Sequence, residues 1–141
     1  MKLLLDTNIV VDIISRRDGY EDSLQIFRYC ELQKIEGFVS ATTVTDVMCI
    51  LRKHISPADV RDAVKTLLLI VDVADIIKSD IFSAFSSKMT DFEDAVQSAC
   101  ARRIKADYIV TRNQKDFEKS MIPALSPSDA LRMYMRGGKN S

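Results

Sequence analysis

The sequence predicts an α/β sandwich built on a parallel sheet, and three observations predict it. Short apolar runs, "KLLLDTN", "FVS", "IVDV" and "ADYIVT", alternate with longer segments whose apolar residues recur at helical spacing. That order is expected when each strand is followed by a crossover helix. Helix starts stand between the runs, most plainly the pairs Ser56-Pro57 and Ser126-Pro127, because serine caps free amides and proline suits the first helical position. The first run is apolar until it stops on the carboxylate of Asp6.

Taken in order, residues 2 to 6 read as a buried strand, and Thr7 or Asn8 is placed to cap the helix that follows. From Glu21 to Lys34 the apolar positions Leu24, Ile26, Phe27 and Leu32 fit a helix, which Gly37 punctuates before the strand "FVS". "TTVTDVMCILRKH" carries Val44, Val47, Met48 and Leu51 at helical spacing, and "SPADVRDAVKTLLLI" starts another helix at Ser56. "IVDV" is the third strand, "ADIIKSDIFSAFSSK" and "DFEDAVQSACARRI" are helical, and "ADYIVT" is a β-branched and aromatic fourth strand. "RNQKDF" is a short helix or loop, "SPSDALRMYM" the last helix, and "RGGKNS" a frayed end. The expected organisation is one domain over residues 1–136 with a flexible tail at 137–141.

Composition agrees with a compact domain. The chain has 141 residues, 47% hydrophobic and 28% charged, with 4 Gly and 3 Pro, which excludes collagen-like and disordered classes. Lys+Arg and Asp+Glu are 20 each, so any attraction for nucleic acid has to come from a local patch. Cys30, Cys49 and Cys100 are widely spaced without a C-x-x-C and read as buried reduced thiols of a cytoplasmic protein. Asp6 and Asp12 interrupt the apolar start before a signal peptide or membrane span is complete, so no membrane association is expected. His54 follows Arg52 and Lys53 at a helix end, where a cation complements the dipole.

The segment "KMTDFEDAVQSACA" carries most of the functional signal. Thr90 and Glu93 fit a capping box, and acids are favoured in a first helical turn. Asp94 is less well explained. If Glu93 and Gln97 form the exposed stripe, Asp94 lies beside the small residues Ser98 and Ala101 and faces something close. Asp6 at the end of strand one, Asp46 near the start of the helix after strand two, and Asn113 and Asp116 beyond strand four all arrive at the edge where parallel sheets bind ligands. Carboxylates crowded there repel one another unless protonated or neutralised, and a hard cation such as Mg²⁺ or Mn²⁺ resolves the conflict. The implied chemistry is metal-assisted phosphodiester hydrolysis.

With those residues in view, the chain resembles the PIN-domain family of metal-dependent ribonucleases, which includes the toxins of VapBC toxin–antitoxin pairs. "LLLDTNIVVD", "SATTVTDVMCIL", "DFEDAVQSACA" and "DYIVTRNQKDF" resemble its four motifs, in the family's order and over nearly the whole chain. The resemblance implies a three-layer α/β/α sandwich with a parallel sheet of four or five strands. It also implies an RNA substrate, an antitoxin partner and a homodimer. Residue by residue, it assigns metal to Asp6, Asp94 and Asp116, with Asp46 and Asp91 binding through water or tuning the site. Thr111 and Asn113 position the nucleophile or substrate, Asn8 supports Asp6, and Arg112 meets a phosphate.

Two departures stand out. Asp46 replaces the Glu often found in the second motif, and Asn113 stands where many members carry Asp after Thr-Arg. One ion held by Asp6 and Asp94 is therefore expected before two. A phosphoaspartyl receiver is disfavoured because no Lys is well placed after a late strand, and a haloacid-dehalogenase-type phosphatase because position 8 is Asn. The remaining alternative is a degenerate domain that binds RNA or protein without cleavage.

Overall fold

The structure, a computed structural model, describes residues 1–138. The strands are β1 (Lys2–Leu5), β2 (Glu36–Ser40), β3 (Asp72–Ala74), β4 (Tyr108–Val110) and β5 (Ala124–Leu125). The helices are α1 (Thr7–Ser15), α2 (Tyr20–Glu31), α3 (Ala41–Leu51), α4 (Pro57–Leu67), α5 (Lys78–Phe85), α6 (Phe92–Arg103) and α7 (Pro127–Gly138). A 3-10 turn spans Gln114–Phe117. All strand pairs are parallel, in the order β3-β2-β1-β4-β5.

β1 shows why this is a three-layer sandwich. Side chains alternate across a strand, so Leu3 and Leu5 enter the larger core with α1, α2, α3, α4 and α7, while Leu4 enters a smaller one with Ala101 of α6 and Phe117. β4 does the same, sending Val110 to the first core and Ile109 to the second. Leu3, Leu4 and Leu5 are fully buried, and each such side chain contributes roughly 1.5–3 kcal/mol by leaving water. A central strand covered on both faces has no use for alternation of polar and apolar residues, which is why "LLL" reads as a continuous run.

Several boundaries differ from the sequence reading. Asp6 itself caps α1, accepting the Thr7 amide, where Thr7 or Asn8 was expected. Ser40 caps α3, which starts at Ala41, ahead of the Thr42 that opened the expected helical segment, and the cap of α6 is Asp91, not Thr90, so Glu93 closes no capping box there. The third strand lies at 72–74 rather than 70–73, because Val71 is still needed as a plug under α4. The fifth strand, "AL", is too short to show a period and forms because it pairs with β4. Cys49 is exposed, unlike Cys30 and Cys100, since the buried face of α3 runs through Val47 and Leu51. Gly137 and Gly138, assigned to the tail, belong to α7, and residues 139–141 lie outside the described residues. No helix among the described residues is long and apolar enough to cross a membrane.

The chain steps outward from β1 through β2 to β3, then returns to lay β4 and β5 on the other side. Connections therefore diverge between β1 and β4, and that divergence opens a crevice outside their carboxyl ends. The two strands deliver Asp6 and Thr111 to its floor.

Close packing under β2 makes one glycine a test of this arrangement. A Cβ on Gly37 would stand 2.6 Å from Cys30 Sγ and 3.0 Å from Val71 Cγ1. Gly37→Ala is expected to cost about 1–3 kcal/mol through overpacking, read as a lower urea midpoint. The double variant Gly37→Ala/Cys30→Ala should recover part of that loss, and an unshifted single variant would contradict the packing.

Candidate active site

Asp6 is the centre of the crevice and is only 7% exposed. Its Oδ1 accepts from Thr7 N (2.9 Å) and Gln97 Nε2 (3.2 Å), and its Oδ2 from Thr111 Oγ1 (2.8 Å) and Asn8 Nδ2 (3.3 Å). These four donors come from α1, α6 and the end of β4. A hydrogen bond to an ionised group is worth roughly 1.5–3 kcal/mol, so the carboxylate is both satisfied and locked in orientation. Thr43 extends the network: its hydroxyl lies 3.0 Å from Thr7 Oγ1 and receives Gln97 Nε2 at 3.1 Å.

The crevice has a volume of about 620 Å³. Asp6, Asp46, Glu93 and Asp94 supply its charge, Gln97 and Asn113 further polar groups, and Ile50, Ile81 and Phe92 an apolar wall. Among the described residues no Lys or Arg lines it. The acids feel one another. Burial, then the negative charge of Asp91, Asp6, Asp116 and Glu93, pushes the Asp94 carboxyl up to about 7. Asp46 is also raised, first by burial and then by Asp6.

The predicted site residues divide into two groups. Asp6, Asp46, Asp94 and Asn113 face the crevice together with Asn8, while Thr111 lies fully buried beneath it. Asp91 and Asp116 do not line it; Asp91 spends Oδ1 on the Asp94 amide as a helix cap, and Asp116 sits exposed in the 3-10 turn. Thr111 differs from its expected role. Its hydroxyl donates to Asp6 and accepts the Asn113 amide at 3.1 Å, so it orients a carboxylate and does not meet a nucleophile. Arg112 is anchored by its Nε, which pairs with the buried Asp12 at 2.7 Å, while its side chain stays half-exposed.

Gln97 is the residue that sequence reasoning misplaced. Read as part of an exposed stripe, it is 5% exposed and joins Asp6 to Thr43. Helical periodicity assigns a long polar side chain to solvent, and nothing local reveals that a carboxylate on another strand will take it up. With Nε2 donating to both partners, Gln97 Oε1 is left buried without a donor.

The donor set suits a hard divalent cation: it is all oxygen, anionic, and carries mutual repulsion that a cation would relieve. Among the described residues no three acidic, His or Cys side chains converge as a ligand set for one ion. The carboxylates that line the crevice and could contribute to a cation site are those of Asp6, Asp46, Glu93 and Asp94.

A sequence model of the PIN domain matches residues 2–115. No curated protein matches the chain by sequence. Among solved structures, VapBC2 from Rickettsia felis bound to promoter DNA superposes with a TM-score of 0.71 at 17% identity, covering 89% of this chain and 98% of that one. A toxin–antitoxin complex from Klebsiella pneumoniae gives 0.66 at 24% identity, with 89% and 97% covered. VapC20 from Mycobacterium tuberculosis, a toxin that cleaves the sarcin-ricin loop, gives 0.62 at 12% identity, with 76% and 86% covered.

The raised Asp94 makes a stability prediction. Its carboxyl ionises near 3.8 in an ordinary setting and near 7 in the fold. The folded state thus holds the extra proton between those values, and stability falls as pH rises through that window. In EDTA, the melting temperature of Asp94→Asn minus that of wild type should grow from near zero at pH 4 to a positive plateau above pH 7. A difference that does not change with pH would refute the crowding of the acids.

Proposed function

This chain belongs to the PIN-domain family, and from that premise we propose that it is a Mg²⁺- or Mn²⁺-dependent endoribonuclease, the toxin of a toxin–antitoxin pair. The observation that carries the reading is the placement of Asp6, Asp46 and Asp94 around one crevice at the divergence of β1 and β4. Asp6 has a structural use as the cap of α1, but the burial of Asp46 and Asp94 beside it has no such return, because like charges brought together out of water repel. The toxin–antitoxin assemblies from R. felis and K. pneumoniae, and the RNA-cleaving VapC20, support the biological setting by shared fold.

The residues take distinct roles. Asp6 and Asp94 would hold the cation, and Asp46, one methylene shorter than Glu, would bind it through water or tune the site. When bound, the ion lowers the pKa of a water and stabilises charge on the scissile phosphate. Asn8, Gln97 and Thr111 keep the Asp6 oxygens in fixed directions, so the metal site is organised before substrate arrives. Asn113 contacts the substrate from the crevice rim as a neutral polar group, without contributing the charge a second ion would need.

Cleavage of a mixed-sequence single-stranded RNA tests this directly. Wild type should cut with Mg²⁺ or Mn²⁺ and not with EDTA, whereas Asp6→Asn and Asp94→Asn should lose at least a hundredfold in rate. Manganese should raise the melting temperature of wild type at pH 8 and leave that of Asp94→Asn nearly unchanged. RNA binding without metal-dependent cutting, unaffected by Asp6→Asn, would favour a non-cleaving binding domain.

A further inference from the structure

The active crevice poses an electrostatic problem for the proposed reaction. Among the described residues no Lys or Arg lines it, and the nearby Arg112 is tied to Asp12 through Nε, so attraction for a polyanion has to come from beside the crevice. A second cavity of about 630 Å³ lies between α5, α6 and the segment after the 3-10 turn. It is basic and rich in hydroxyls. Lys88, Arg102, Arg103 and Lys119 line it with five serines, over a floor that includes Ala95 and Ala99.

The charges there are unequal in availability. Asp80 is the cavity's one acid; it is buried, and Arg103 grips it through Nε at 3.1 Å and Nη2 at 3.1 Å. That pair cancels. Lys88, Arg102 and Lys119 form no salt bridge among the described residues and come from three different segments. In a chain of zero net charge, three uncompensated cations around one concavity are a local anion site. Ser98, whose hydroxyl is 2.7 Å from that of Ser120, adds a polar group at its floor.

α6 connects this cavity to the acids. Asp94 and Ser98 are one turn apart on the same line of the helix, the first facing the crevice and the second the cavity. From Asp94 to Arg102 the helix rises ~12 Å, a distance that a few nucleotides of single strand span. Phe82 and Phe85, on α5 beside the serine positions 79, 83 and 86, are 58% and 72% exposed and suit base stacking, the usual partner of a basic groove in single-strand binding.

Resting on the ribonuclease reading, we infer that the α5/α6 cavity is a phosphate subsite that holds the backbone of single-stranded RNA through Lys88, Arg102 and Lys119, a few nucleotides from the scissile bond. Arg103 is structural and does not share this role.

The test is fluorescence anisotropy of a labelled single-stranded RNA in EDTA, across a salt series, with wild type, the triple variant Lys88→Gln/Arg102→Gln/Lys119→Gln, and, as a charge-matched control, Lys34→Gln/Lys53→Gln/Lys65→Gln, which removes three exposed cations away from both cavities. The triple variant is expected to bind at least tenfold more weakly, with a log K against log salt slope shallower by about 2, since each single-strand phosphate contact contributes about 0.7. The control should match wild type. In Mg²⁺ or Mn²⁺ the triple variant should show a higher KM with kcat retained. Equal affinity and slope in the triple variant and the control overturn the subsite, and so does wild type that binds no RNA in EDTA. Metal-dependent cleavage abolished by Asp6→Asn but indifferent to the triple change removes the subsite and leaves the nuclease reading standing. Loss of affinity for a poly-glutamate peptide, with RNA binding unchanged, identifies a protein-docking cavity and also overturns it.

Discussion

The carboxylate of Asp6 is the constraint on which the rest of the site depends. It ends the central strand, caps the first helix, and accepts hydrogen bonds from α6 and from the end of β4. A charged group that buried is tolerated only with its lone pairs satisfied. Satisfying them requires that β1, β4, α1 and α6 meet at one point, so the folding requirement and the geometry of the crevice are met by the same four contacts. The Thr7, Thr43 and Gln97 network carries the constraint on to α3, and with it to Asp46.

Around that satisfied acid stand two unsatisfied ones. Asp46 and Asp94 gain no partner comparable to those of Asp6, and both are pushed toward the protonated state by burial and by neighbouring charge. The asymmetry is informative. A protein selecting for stability alone would replace Asp94 by a neutral residue, since perturbed acids concentrated in a cleft mark chemistry more often than architecture.

Helix α6 organises the electrostatics of the whole face. Its first turns present Glu93, Asp94 and Gln97 to an acidic crevice, and the line through Ser98 and Arg102 faces a basic cavity. Net charge conceals this division, because the two regions cancel in the sum over the chain. A polyanion would meet repulsion at the crevice and attraction one or two turns away, so opposite potentials fall on separate surfaces of one rigid element.

Much was legible in the sequence for a definite reason: strand and helix signals are local. The "LLL" run, the Ser-Pro starts and the acids that close or follow strands are properties of a few adjacent residues, and they determine the parallel sheet and the edge to which Asp6, Asp46 and Asp94 are delivered. What only the tertiary structure decided is the use of each polar side chain. Gln97 reads as solvent-facing until Asp6 reaches it from 91 positions away. The sequence does not show that the Thr111 hydroxyl donates to Asp6, or that the Arg112 Nε pairs with Asp12. Asp91 and Asp116 lie close enough in space to raise Asp94 but not to line its crevice. Hydrogen bonding between buried groups is decided by which strands become neighbours, and that choice belongs to the long-range packing of the sheet, which no window of sequence contains.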